Sequence, residues 1–127
     1  MSTKSLEKSI AWSKSFDLSL EIYKITRKFP PEERFGLISQ MQRCAISVTS
    51  NIAEGMLRGS RGEFLFFLKV ARGSAGELET QLMICEKLNY INKDTSKKLI
   101  DRTTEIIRIL NTSIKTLKKN LKNPHLC

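Results

Sequence analysis

Residues 47–74, SVTSNIAEGMLRGSRGEFLFFLKVARGS, decide the fold. They read as the end of one helix, a glycine-punctuated corner and the start of a longer helix. Gly55 follows an apolar-periodic run and suits the left-handed position just past a helix end. Ser60 opens the capping-box pattern Ser60-Arg61-Gly62-Glu63, directly before the apolar run Phe64-Leu65-Phe66-Phe67-Leu68. A serine hydroxyl there can accept from the Glu63 amide while the Glu63 carboxylate reaches back. A helix–turn–helix corner follows from this local chemistry.

Working outward, the upstream helix is predicted over residues 32–54. Glu32 and Glu33 suit the positive N-terminal end, and Leu37, Met41, Cys44, Ala45, Val48 and Ile52 form its apolar face. Before it, Pro30-Pro31 stops a first helix over residues 6–28. There Trp12, Phe16, Leu20 and Tyr23 make one apolar row, and Leu18, Ile22, Ile25 and Phe29 make a second. Two rows imply two neighbours.

Downstream, the third helix is predicted over residues 61–89, with Phe64, Phe67, Leu68, Ala71, Leu78, Leu82 and Cys85 toward the core. Gly73-Ser74-Ala75-Gly76 sits in its middle. Each glycine costs about 1 kcal/mol of helix propensity, so close approach by a neighbouring helix is expected there. A fourth helix, residues 95–121, repeats Ile100, Ile107, Ile114 and Leu121 every seven residues. Thr103, Leu110 and Leu117 follow three later, and Leu99 and Ile106 widen the seam. Residues 122–127 read as a frayed tail. The whole is a single all-α domain, predicted as an antiparallel up-down-up-down four-helix bundle.

The composition narrows the function. No apolar run approaches the ~20 residues of a membrane span, and residues 1–8 are too polar for a secretory signal. Cys44, Cys85 and Cys127 lie far apart without metal-type spacing, which fits a reducing cytoplasm. The single histidine, His125, cannot furnish the paired Glu-x-x-His motifs of a di-metal bundle. It also lacks the preceding arginine of HEPN-class ribonucleases, and no histidine is near Cys44 or Cys85 to serve as a base. Glu77 and Glu79 point to different sides of one helix. No enzyme, metal or cofactor is expected.

Two polar patterns remain. Arg43, Ser47, Asn51 and Glu54 form a stripe on the second helix, and Ser74, Glu77 and Gln81 continue a polar row on the third. A hydrogen-bonded seam between helices or between subunits, with Glu77 or Gln81 meeting Arg43 or Asn51, is preferred to a ligand or catalytic site, since buried polar groups normally satisfy one another. Arg58-Gly59-Ser60-Arg61-Gly62 has the glycines and cations of an anion loop but not the ending of a P-loop, so capping explains it better.

The second pattern is charge. The formal net charge is +9, and it is uneven: residues 1–29 carry six bases and three acids, residues 30–90 seven and seven, residues 91–127 nine and three. On the fourth helix Arg108, Lys115 and Lys122 recur on one outward position, with Lys98, Lys119 and Arg102 beside them. A solvated helix face is the plain reading; a nucleic-acid surface is the functional one. The band has no aromatics for base stacking, so contacts would be to the backbone, salt-sensitive and sequence-tolerant. A protein-interaction scaffold whose charge only confers solubility is the alternative.

The corner also carries a likeness. Asn51-Ile52-Ala53-Glu54-Gly55, Arg58, Ser60, Glu63-Phe64, Phe67-Leu68, Ala71 and Gly73-Ser74 resemble the four-helix bundle proteins encoded within intervening sequences of bacterial 23S ribosomal RNA. Phe29-Pro30, Glu33, Phe35-Gly36-Leu37, Gln40, Arg43 and Ala45 extend the match upstream, and residues 77–82 extend it downstream. The resemblance implies a homo-oligomeric ring, commonly a pentamer, in which five copies at +9 would carry +45. The family is similar to the accessory variability proteins of diversity-generating retroelements, basic pentameric barrels that bind nucleic acid and a reverse transcriptase. For this chain, partners of that kind are implied by analogy alone.

Overall fold

The helix that opens at Arg61 is capped by the serine before it. Ser60 has extended backbone, φ −113° and ψ 148°, and its Oγ accepts the Glu63 amide at 3.1 Å. The Glu63 carboxylate returns to the Ser60 hydroxyl, at 3.0 Å, rather than to its backbone amide. Ser60→Ala should cost about 1 kcal/mol of stability, read as a lower urea midpoint at unchanged slope.

The computed structural model describes residues 4–122, with side chains described for 6–121; the predicted tail from residue 123 on lies outside them. The elements are α1 (Lys4–Glu7), α2 (Ile10–Thr26), a 3₁₀ turn (Pro31–Glu33), α3 (Leu37–Arg58), α4 (Arg61–Lys87) and α5 (Lys93–Lys122). Among the described residues there is no strand, and no helix is long and apolar enough to cross a membrane.

Several boundaries differ from those expected, for local reasons. The first helix is broken before Ile10, because Ser9 caps α2 by accepting the Trp12 amide at 3.1 Å. Glu32 and Glu33 lie in the 3₁₀ turn, and α3 starts only after Gly36. At its far end the left-handed residue is Gly59, φ 90°, not Gly55. Gly55 is buried inside α3, where a Cβ would come within 2.9 Å of Phe64 Cδ1 and 3.0 Å of Phe67 Cβ. Its missing side chain lets α4 close onto α3, and the helix continues through it. The end of α4 is a Schellman turn built on Asn89 (φ 63°): the Asn89 amide reaches the Glu86 carbonyl at 3.0 Å and the Tyr90 amide the Cys85 carbonyl at 2.9 Å.

Side-chain pairs fix how the long helices lie. Thr26 bonds Gln42 and Ser15 bonds Thr49 between α2 and α3. Ser47 with Ser74 and Met41 with Cys85 tie α3 to α4. Glu79 with Thr104 and Arg72 with Asn111 tie α4 to α5. Between them Leu18, Ile22, Met41, Ile52, Leu78 and Leu82, with others, are buried to 2% exposure or less.

The core takes one of the two rows of the first helix. Leu18 and Ile22 are buried, whereas Phe16 and Leu20 of the other row are 42% and 49% exposed. On α5 the buried line is Leu99, Thr103, Ile106, Leu110 and Ile114. The expected heptad places Ile100 and Ile107 at its centre, yet they are half-buried on its flank and Leu121 is exposed. The reason is that α5 packs on both α2 and α4, which turns its apolar stripe toward the groove between them.

Cys85 is fully buried, its Sγ 3.4 Å from Met41 Sδ, and burial with the nearby Glu33 charge pushes its thiol up to about 11. The folded state therefore holds this proton more tightly than the unfolded chain, whose thiol has the ordinary value of 9.0. The resulting stabilisation is complete below pH 9 and is lost as pH rises toward 11. A urea midpoint followed across that window should fall, and Cys85→Ala should flatten that part of the profile.

Candidate nucleic-acid interface

Ser47 carries the polar stripe of α3 across the seam to α4, and Asn51 bonds back to Ser47 within α3. Ser47 and Ser74 hydroxyls lie 2.8 Å apart, and Asn51 Nδ2 donates to the Ser47 carbonyl at 2.8 Å and to Ser47 Oγ at 3.0 Å. Further along the seam, Cys44 Sγ donates to Glu77 Oε2 at 3.3 Å and receives Gln81 Nε2 at 3.5 Å. Burial first, then the Glu77 hydrogen bond, raises the Cys44 thiol above its ordinary range.

The two ends of the stripe go elsewhere. Glu54 pairs within α3, accepting from Arg58 at 2.6 Å, and Arg58 also reaches Glu63 at 3.5 Å and lies over the Phe67 ring at 5.3 Å. Arg43 is exposed and makes no side-chain hydrogen bond or ion pair among the described residues; the expected Arg43–Glu77 pair is replaced by Cys44–Glu77. The corner loop is committed in the same way. Its Arg58 is held by acids, and its Ser60 and the Glu63 amide are held by the cap. No group of three or more His, Cys, Asp or Glu is placed to hold a metal among the described residues.

The expected basic residues divide into a line and an outlier. Taking 100° per residue, Arg108, Lys115 and Lys119 project opposite the buried Ile106–Leu110–Ile114 stripe, and all three are exposed. Lys98 is exposed one flank away. Arg102 is half-buried, lining a groove with Lys14, Asp17 and Glu105. It does not belong to the outward line. The side chain of Lys122 lies outside the described residues.

A feature not singled out from the sequence sharpens the line. Residues 106–121 carry Arg108, Lys115, Lys118 and Lys119 and no acid at all. The two acids just upstream are engaged: Asp101 with Lys97 at 2.8 Å and Glu105 with Lys14 at 2.6 Å. The signal was available as a charge count per helix half; counting whole segments blurred it.

A model of the family described as 23S rRNA-intervening sequence protein matches residues 7–112. The chain belongs to that family. It is also similar to a solved structure, a protein of unknown function from the S23 ribosomal protein family of Bacteroides thetaiotaomicron VPI-5482. That likeness has a TM-score of 0.76 at 27% identity and covers 84% of this chain and 99% of the other. No curated protein matches. Within this 23S rRNA-intervening sequence protein, the family match stops at residue 112, so Arg108 lies inside it while Lys115, Lys118 and Lys119 lie beyond.

Proposed function

We propose that this protein is a non-enzymatic, cytoplasmic, homo-oligomeric up-down-up-down bundle that binds RNA or DNA through the phosphate backbone. The observation that carries the reading is the acid-free half of α5, with exposed Arg108, Lys115, Lys118 and Lys119. The helix dipole rationalises cations in the last turn, where Lys119 lies, but not Arg108 about four turns from the end. Repetition around a ring multiplies the line, and a focused positive field attracts polyanions.

The family's description names 23S rRNA, and the Bacteroides relative, of unknown function, is of the S23 ribosomal protein family; this favours RNA as the polyanion. Association with a reverse transcriptase follows by analogy to the retroelement proteins. A scaffold role is the second reading, favoured by Phe35, 90% exposed at the entrance to α3 and shaped as an anchor for another protein.

Gel retardation with unrelated RNA hairpins and DNA duplexes at low salt tests the first reading. Comparable retention across sequences supports it. Retention of none of them hands the surface to the scaffold.

A further inference from the structure

An open groove of about 370 Å³ lies between the start of α3 and the end of α4. Leu37, Ile84 and Leu88 give it apolar walls. Two polar side chains in its lining are left with an unused acceptor. Gln81 is only 9% exposed, and its Oε1 has no hydrogen-bond partner among the described residues. Its neighbour dictates which way that amide turns. Cys44 has one proton, which goes to Glu77, so its sulfur can only accept, and Gln81 offers it Nε2. The oxygen is what remains. Glu33, half-buried in the 3₁₀ turn, carries the other acceptor. Its carboxylate makes no hydrogen bond or ion pair among the described residues, and its Oε1 would stand 3.7 Å from a Cβ built on Gly36, another residue of the groove. No base lines the groove, so Glu33 is its one charge.

We propose that this groove binds a small organic molecule carrying a protonated primary amine on an apolar body. An ammonium has three donors and no acceptor, which suits the Glu33 carboxylate and Gln81 Oε1 together, while the body lies along Leu37, Ile84 and Leu88. Two unused acceptors select a donor, and a lone negative charge selects a cation. A metal ion fits poorly, because hard cations take about six or more oxygens and these walls are apolar. A phosphate is repelled by Glu33, so the site stands apart from the polyanion surface of α5 and does not depend on it. The volume sits near the lower end of the ~300–1,000 Å³ usual for small-molecule pockets, which suits a compact ligand. Glu33 has a structural role as well, as an acid ahead of the positive end of a helix that has no side-chain cap. That role does not reach Gln81, whose unpaired oxygen only weakens the fold unless something donates to it.

The test titrates the full chain with phenethylamine and hexylamine, followed by nitrogen–proton correlation spectra. Phenethyl alcohol serves as the uncharged control and hydrocinnamate as the anionic one. Both amines should shift the amide signals of residues 33–40 and 81–88, with Kd on the order of 1 mM or tighter. The alcohol should bind at least ~10-fold more weakly, and the anion should leave the signals in place. Glu33→Gln should weaken amine binding by ~10-fold or more and remove the preference over the alcohol. Gln81→Leu, or Gln81→Met in its place should the first unfold, should weaken amine binding while leaving the urea midpoint level or raising it. That second readout is one that a purely structural glutamine would move downward. Amines that shift none of these signals would overturn the proposal, leaving solvent alone in the groove. Amines that bind no better than the alcohol, or that bind Glu33→Gln as they bind the wild type, would overturn it as well.

Discussion

Gly55→Leu should lower the stability of the fold by about 3 kcal/mol, the upper end of what overpacking a close contact costs. On helix propensity alone, removing a mid-helix glycine should instead gain up to about 1 kcal/mol. Packing decides the sign. Even a lone Cβ at this position meets Phe64 Cδ1 at 2.9 Å and Phe67 Cβ at 3.0 Å, and Phe67 is itself pinned beneath the Arg58 guanidinium. The comparison substitution is Gly62→Ala, on the exposed first turn of α4, where a Cβ meets nothing within 4 Å. It should leave stability unchanged or raise it. Urea melts of the two variants should therefore move in opposite directions, and equal losses would mean that Gly55 does not set the α3–α4 spacing.

The second large effect concerns the outward cations. Arg108→Glu, Lys115→Glu and Lys119→Glu together remove three positive charges and add three negative ones, taking the formal charge from +9 to +3. All three positions are exposed and opposite the core stripe, so the helical spectrum should be retained. Affinity for RNA should fall at least ~100-fold at low salt, since each lost phosphate contact forfeits its counterion release and each new carboxylate repels the strand. The same reversal at Lys97 and Lys98 should do far less, because Lys97 is already tied to Asp101. Variants that bind as well as the wild type would move the interface off α5.

Much of the architecture could be read without coordinates, and the exceptions have physical causes. Ser60 and the apolar run after it announced the start of α4, because capping is settled within four residues. The end of α3 was not legible. Gly55 and Gly59 are equally plausible as left-handed residues in the sequence, and only the phenylalanines of the next helix distinguish them. On α5 the seven-residue repeat gave the right helix but a stripe turned off-centre, since repeat spacing does not say how many neighbours share the face. The seam residues Ser47 and Asn51 were visible as a stripe, whereas Cys44 as the partner of Glu77 was not. A cysteine on an apolar face gives no sign that it will donate. Arg102 looked like its neighbours on the helix until Asp17 and Glu105 were seen beside it.

The most direct test of the account is the salt dependence of RNA affinity, measured by fluorescence anisotropy on one mixed-sequence hairpin between 50 and 200 mM salt, values of the order at which counterion release is normally resolved. If the cations of two neighbouring copies engage about six phosphates, log K should fall against log salt with a slope of roughly −4 to −5, a loss of several hundred-fold across the range. An affinity that stays level across the same range would contradict the claim that the acid-free half of α5 meets a polyanion.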